Sequence, residues 1–210
     1  MKLHTYFRSS ASWRVRIALH WKGVAHDQAF VHLRKGEHRA ARYRMVNPQG
    51  FVPSLELEDG TILTQSLAIL EYLEETHPEP PLLPTDAVTR ARIRGFADVI
   101  ACDVHPVQNL KVFNMLKAGG YSEAGTNAWA VEVIAAGFAA CEKLLADSTS
   151  TFCFGESPTF ADVCLVPQMF NARRFGVDLV AYPALTQREA ACHALAAFNE
   201  TAPERQGDAE

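Results

Sequence analysis

RSSASWRVRIAL, Arg8 to Leu19, follows directly on the short apolar run KLHTYF, Lys2 to Phe7. A basic residue and a pair of serines therefore stand where a strand pattern gives way to a helix pattern. Such a junction brings a hydroxyl, unpaired backbone N–H groups and the positive end of a helix dipole within a few ångströms of one another. It suits an anion. One of the serines is also needed to cap the helix, and Ser10 or Ser12 would serve.

Downstream, the apolar/polar rhythm alternates. SWRVRIALHWKG reads as a helix, QAFVHL as a second strand, and Glu37 to Met45 as a short polar helix. After NPQG come VPSLEL and TILT, joined at Glu58-Asp59-Gly60, where Asp-Gly suits the positive φ of a tight hairpin. QSLAILEYLEETHP then gives a helix with a broad apolar face of Leu67, Ile69, Leu70, Tyr72 and Leu73. The order over residues 1–80 is βαβ followed by ββα. PEPPLLPTD, Pro78 to Asp86, carries four prolines in seven residues. Proline can neither continue a helix nor donate to a ladder, so a linker is predicted at 78–86. Residues 87–210 contain no strand run and are rich in alanine, which predicts helices at Ala87–Lys117, Ala124–Ala146, near Ala161–Phe175 and near Ala184–Phe198. The tail ERQGDAE is expected to fray. The fold class is α/β followed by all-α.

Composition narrows the function. A chain of 210 residues, 48% hydrophobic and 21% charged, is an ordinary globular protein of one or two modest domains. A net charge of −4, with scattered basic residues, offers no footprint for nucleic acid. No apolar run approaches the ~20 residues of a membrane span, and no leader pattern precedes the first strand, so a cytoplasmic protein without a membrane partner is expected. The five cysteines, Cys102, Cys141, Cys153, Cys164 and Cys192, are odd in number and form no C-x-x-C pair. They read as buried, reduced thiols, and no metal is expected.

Two features of the second half invite attention. Asp98, Cys102, His105 and Asn109 are four, three and four apart, which stacks them on one face of a continuous helix. Pro106 sits in the same helix and leaves a carbonyl without its donor. A polar stripe beside a proline kink suggests a cleft wall, and a solvated face with a tolerated kink is the other reading. In SPTFADVCLVPQ, Thr159 and Asp162 have the spacing of a capping box before an apolar run, a device for starting a helix.

A βαβ-ββα unit, a proline-rich linker and an all-helical second domain resemble the glutathione transferases. RSSASWRVRIAL resembles the active-site signature of their zeta class, the maleylacetoacetate and maleylpyruvate isomerases. The likeness extends through NPQGFVPSLELEDG, TQSLAILEYLEE, HPVQNL, TFADVCLVPQ and ARRFGVDLVAYP, nearly the whole chain. It implies a thioredoxin-like glutathione-binding domain over 1–80 and a helical substrate-binding domain over 87–210, paired in a homodimer. It implies a cis peptide before Pro53, the bond for which cis is cheap. The N–H and C=O of Val52 would then face the cysteinyl backbone of glutathione like a strand edge. Gln65 and Ser66, at a helix start, match the family's holders of the γ-glutamyl carboxylate. His38, His105 and Asn109 match further glutathione contacts. Ser9 matches the donor to the glutathione sulfur, with Ser10 as neighbour and possible substitute. Ala11, also among the matched glutathione-binding positions, stands where many relatives have cysteine, a departure that touches side activities rather than the isomerisation, for which glutathione brings its own sulfur. Arg8 and Arg174 match the substrate-carboxylate ligands, as guanidinium binds carboxylate bidentately. Arg14 and Arg16 are structural or support the site.

The activity implied is glutathione-dependent cis–trans isomerisation of a maleyl diketo acid in aromatic catabolism. Lowering a thiol pKa from ~8.5 to ~6.5 would raise the thiolate fraction at pH 7 about 25-fold. The accompanying loss of nucleophilicity, about 8-fold at a Brønsted slope near 0.45, leaves a gain of only about threefold. Positioning of a dicarboxylate and stabilisation of developing negative charge must therefore supply most of the acceleration. Two other readings are a general glutathione transferase acting on electrophiles such as α-halo acids, and a binding module without catalysis. The retained Arg8, Ser9, Val52-Pro53, Gln65 and Ser66 weigh against the last.

Overall fold

Strand β1 (Lys2–Thr5) buries Leu3 and Thr5 and leaves Lys2 and His4 partly open, the period-two alternation of a half-buried strand. The computed structural model, which describes residues 1–210, pairs β1 in parallel with β2 (Asp27–Phe30) on one side and antiparallel with β3 (Ser54–Glu56) on the other. β4 (Ile62–Thr64) pairs antiparallel with β3, giving the order β2-β1-β3-β4. The β3–β4 turn closes as its Asp-Gly predicts: Leu57 N donates to Thr61 O at 2.9 Å, and the Asp59 carboxylate accepts from Thr61 N at 2.9 Å. Helices α1 (Ser10–Trp21) and α3 (Ser66–Thr76) bury Val15, Ile17, Ala18 and Leu19 and Ile69, Leu70 and Leu73. The short polar segment between β2 and β3 is a 3-10 turn at Glu37–Arg39 followed by α2 (Ala41–Arg44). This is the expected thioredoxin-like arrangement.

The chain divides into two compact units, residues 1–82 together with 194–210, and residues 83–193. The division departs from the expected halves at the C-terminus, where the tail is anchored rather than frayed. Arg16 is the cause. Its guanidinium, 1% exposed, donates from Nε to Thr201 O at 3.1 Å, from Nη1 to Thr5 Oγ1 at 3.1 Å and from Nη2 to Phe7 O at 3.0 Å. Burial pushes its pKa down to about 9, with Asp208 opposing, so it remains charged at pH 7. A buried cation requires acceptors, and the Thr201 carbonyl supplies one of them. Trp13 Nε1 also donates to Thr201 Oγ1 at 3.0 Å, and the Asp208 carboxylate accepts from Phe7 N at 3.0 Å. At the other end of α1, the Lys22 ammonium meets Glu74 at 2.7 Å and donates to the carbonyls of His77 and Pro80, tying the start of the linker to both helices.

In the second unit the single helix expected over Ala87–Lys117 is three segments. α4 (Ala87–Asp98) runs into a π-helical stretch, Val99–Val104, and α5 (Leu110–Ala118) starts afresh. The widened turn carries His105 N to Ile100 O at 2.9 Å, one residue beyond the α spacing, just before Pro106. Gly137 of α6 (Glu123–Leu144) lets this stretch pack, because a Cβ there would lie 2.1 Å from Val104 Cγ2. Asn109 caps α5, its side-chain oxygen accepting from Lys111 N at 2.9 Å and Val112 N at 3.2 Å. The stripe Asp98–Cys102–His105–Asn109 therefore loses its common helical face beyond Val104.

α7 (Phe160–Phe175) is the central helix of the unit, with Phe160, Val163, Leu165, Val166 and Met169 inside. Its capping box forms as expected: the fully buried Asp162 carboxylate accepts from Thr159 N and Oγ1 at 2.9 Å, and also from Cys153 N at 2.9 Å. α8 (Pro183–His193) ends before α9 (Ala196–Asn199), so the helix expected over Ala184–Phe198 is broken, and α9 belongs to the first unit. None of the cysteines forms a disulfide, and four are buried; Cys102 is exposed, against expectation. Burial pushes the Cys141 thiol up to about 12, which makes it inert at neutral pH. No helix is long and apolar enough to cross a membrane.

Candidate active site

The junction between β1 and α1 is held rigidly. Both backbone polar groups of Phe7 are engaged, the N–H by Asp208 and the C=O by Arg16, so the chain enters Arg8 and Ser9 from a fixed point. Ser9, not Ser10 or Ser12, is the helix cap: its Oγ accepts from Ser12 N at 3.2 Å, with φ −71° and ψ 112°. Accepting that bond leaves the Ser9 hydroxyl hydrogen to donate elsewhere. Ser9 is half-buried whereas Ser10 is 5% exposed, so Ser9 is the accessible hydroxyl of the pair. Ala11, half-buried, adds no polar group. The Arg8 guanidinium lies 5.4 Å from the Phe7 ring centroid, a cation–π contact.

The Val52–Pro53 peptide is cis. The N–H and C=O of Val52 have no hydrogen-bond partner in the chain. The preceding carbonyl, Phe51 O, is gripped by Tyr43 Oη at 2.6 Å and Asn47 Nδ2 at 2.9 Å, and Tyr43 Oη also meets Ser54 Oγ at 3.1 Å. Burial raises the Tyr43 pKa, with the Ser54 contact opposing, so the phenol stays a donor. The unpaired backbone of Val52 is thus presented from a fixed loop.

His38 is buried, and its Nε2 lies 3.3 Å from Arg39 Nε. Arginine can only donate, so the imidazole is neutral and carries its proton on Nδ1. Burial, then Arg39, then Arg44 push its pKa down, in keeping with that form. Nδ1 is itself buried and has no acceptor in the chain. Gly50 packs against the His38 carbonyl, which a Cβ would approach to 2.9 Å, and its φ of +65° excludes most other residues as well.

Gln65 is the one non-glycine residue at positive φ, 69°. Such a conformation costs about 1–3 kcal/mol and persists where its surroundings over-determine it. Here its amide Nε2 donates to Gln49 Oε1 at 2.8 Å. Ser66, the first residue of α3, is buried, and its Oγ accepts from Arg14 Nη1 at 3.2 Å. The first unit therefore contains two helix starts, each with a serine, an unpaired strand-like backbone at Val52, and a neutral histidine with a spare donor.

The second unit holds His105, Asn109 and Arg174. His105 is half-buried at the end of the π-helical stretch, and the Asn109 side-chain oxygen is occupied as a cap. Arg174 is exposed in the last turn of α7, its guanidinium 4.8 Å from the Phe175 ring centroid, and Phe175 in turn meets Phe113 of α5 edge-on at 5.5 Å. Of the residues that shape the first unit, Tyr43, Asn47 and Gln49 escaped sequence reading. Only the NPQG turn hinted at their neighbourhood.

Residues 8–76 match the glutathione S-transferase N-terminal domain family and residues 86–197 the corresponding C-terminal domain family. The chain is similar to maleylacetoacetate isomerase of Pseudomonas aeruginosa, at 45% identity over 99% of this chain and 98% of that one. It is similar at 46% identity, with a TM-score of 0.97 and full coverage of both chains, to the holo structure of a maleylpyruvate isomerase described as a bacterial glutathione S-transferase of zeta class. It is similar at 44% identity, with a TM-score of 0.90, to maleylacetoacetate isomerase from Anaeromyxobacter dehalogenans with dicarboxyethyl glutathione and citrate bound in the active site; 100% of this chain and 93% of that one are covered.

Proposed function

Because this chain belongs to the glutathione S-transferase family, we propose that it is a glutathione-dependent cis–trans isomerase of a maleyl diketo acid, maleylpyruvate or maleylacetoacetate, acting in aromatic catabolism. The observation that carries the reading is the set of polar groups in the first unit that the fold holds in place and leaves without partners. The Val52 N–H and C=O fit a peptide backbone, and the His38 Nδ1–H fits a carbonyl or carboxylate. The starts of α1 and α3 suit anions. Glutathione offers a thiolate, a peptide backbone and two carboxylates, so the residues present fit it. The Anaeromyxobacter relative binds dicarboxyethyl glutathione and citrate in its active site, which supports a site that takes glutathione together with carboxylates.

Glutathione, when bound, would supply a sulfur nucleophile whose reversible addition allows rotation about the cis double bond. Ser9 donates its hydroxyl hydrogen to the sulfur and keeps it ionised. The Val52 backbone pairs with the cysteinyl residue, Gln65 and Ser66 hold the γ-glutamyl carboxylate, and His38 donates to the tripeptide from Nδ1. His105 and Asn109 contribute further glutathione contacts, Asn109 through the amide nitrogen its capping role leaves unused. Arg8 and Arg174 bind the substrate's carboxylates, and Arg8 also offsets charge that develops on the neighbouring carbonyl oxygen. Ala11 lines the glutathione site beside the two serines and adds no polar group to it. The assembly proposed is a cytoplasmic homodimer, which sedimentation at micromolar concentration checks: a monomer alone would refute it.

The deciding assay follows loss of maleylpyruvate and of maleylacetoacetate with and without glutathione. Turnover that needs glutathione without consuming it supports the reading; retention on glutathione-agarose with no turnover leaves a binding module. Ser9→Ala should raise the pKa of bound glutathione, read by thiolate absorbance against pH, and Ser10→Ala should move it less because Ser10 is buried. The same Ser9→Ala change removes a helix cap, so stability should fall by about 1 kcal/mol. An unchanged thiol pKa in Ser9→Ala would show that Ser9 is only the cap.

A further inference from the structure

We propose that Arg14 is a positioning residue for glutathione, holding the Ser66 hydroxyl as an acceptor so that its hydrogen is left to donate to the γ-glutamyl carboxylate. The inference rests on the reading of Ser66 given above and assigns a further residue to the same site. Arg14 lies within α1, 1% exposed, and reaches across to the first residue of α3, its Nη1 3.2 Å from Ser66 Oγ. Ser66 is itself only 7% exposed.

A serine hydroxyl ordinarily rotates, and its hydrogen settles on whichever acceptor is nearest. A guanidinium removes that freedom, because it carries donors only and no lone pair to accept a hydrogen. With Arg14 on one side of Ser66 Oγ, the hydroxyl hydrogen cannot point toward it and must be directed elsewhere. The charge also polarises the O–H bond, which strengthens its donation to an anion, since hydrogen bonds in series reinforce one another. The backbone beneath Ser66 is fixed independently by Gln65, at φ 69° and tethered to Gln49. Arg14 therefore completes the positioning of a hydroxyl whose backbone is already set. Lysine would keep the charge but lose the planar fork, so it should not hold the hydroxyl in the same direction.

The test compares glutathione with cysteinylglycine, which lacks the γ-glutamyl group, by calorimetry on the parent protein, Ser66→Ala, Arg14→Lys and the double variant. Ser66→Ala should weaken glutathione about 10-fold, as loss of a hydrogen bond to a charged group does, and leave cysteinylglycine unchanged. Arg14→Lys should weaken glutathione about fivefold in the parent but less than about twofold in the Ser66→Ala background, because the two residues act through one contact. In turnover, the Arg14 effect should fall on KM for glutathione and leave kcat within about twofold. If Ser66→Ala weakens both thiols equally, Ser66 does not hold the γ-glutamyl carboxylate, and the basis of the Arg14 assignment goes with it. If Ser66 behaves as expected but Arg14→Lys acts equally with and without the hydroxyl, or has no effect, Arg14 alone is misassigned. Should Arg14→Lys fail to fold, the parent protein labelled with 15N at arginine decides. The buried guanidinium signal, identified by its change in Ser66→Ala, should shift on saturation with glutathione and not with cysteinylglycine; a signal that stays still overturns the proposal.

Discussion

Arg174→Ala is expected to lower the specificity constant for a maleyl dicarboxylate by roughly 10- to 150-fold while glutathione binds as tightly as to the parent. The range corresponds to a charge-assisted hydrogen bond of about 1.5–3 kcal/mol, lost only from the substrate side. Arg174 is exposed at the end of α7, stacked on Phe175, and belongs to the second unit. The groups that suit glutathione at Ser9, Val52 and Ser66 all belong to the first. Removing Arg174 should therefore separate two functions that removal of Arg8, which adjoins Ser9, need not. The stacking matters to the size of the effect. A guanidinium held against an aromatic face has already lost part of its rotamer freedom, so less is lost on meeting a carboxylate. Arg174→Lys should recover only part of the activity. Isomerase kinetics beside calorimetry of glutathione decide the matter: equal weakening of both ligands, or of neither, would mean that Arg174 is not the carboxylate ligand.

The largest loss of stability is expected from Lys22→Met. The Lys22 side chain is fully buried against Glu74, 2.7 Å away, and donates to His77 O at 2.7 Å and Pro80 O at 3.1 Å. The Glu74 carboxylate also accepts from Leu82 N, at 3.2 and 3.1 Å to its two oxygens. Methionine fills the volume but leaves a buried carboxylate without its cation and two carbonyls without their donor. Breaking such a pair from one side costs about 3–5 kcal/mol, far more than the pair itself contributes over an apolar replacement. Lys22→Met combined with Glu74→Gln should therefore be more stable than Lys22→Met alone. Trp13 and Trp21 lie in the first unit and Trp129 in the second, so urea unfolding followed by tryptophan fluorescence in a Trp129→Phe background reads the first unit. A loss below about 1 kcal/mol would show that water reaches Glu74 and that the pair is not buried in solution.

Whatever neighbours along the chain decide was legible before folding. Period-two and period-3.6 patterning set the order of strands and helices. Asp59-Gly60 set the hairpin, the prolines between Pro78 and Pro84 ended the first run of elements, and Thr159 with Asp162 started α7. Each is a choice among backbone conformations made within a few residues. Most of the residues proposed to hold glutathione were legible too, because the family's motifs are local strings that keep their spacing. Only the folded chain shows which serine caps α1, how the helix around Pro106 resolves, and which groups Arg14 and Arg16 meet. The widened turn before Pro106 depends on Gly137, more than thirty residues away, offering a face without a Cβ. Arg14 and Arg16 are two residues apart in RVRIAL, which puts them on nearly opposite faces of α1, and they look alike as letters, yet one reaches Ser66, 52 positions on, and the other Thr201, 185 positions on. A guanidinium taken out of water must find acceptors in its own fixed planar geometry. Those acceptors come from segments that only folding brings beside it, and so the partners of both arginines, and the anchoring of the C-terminal tail, could not be read along the chain.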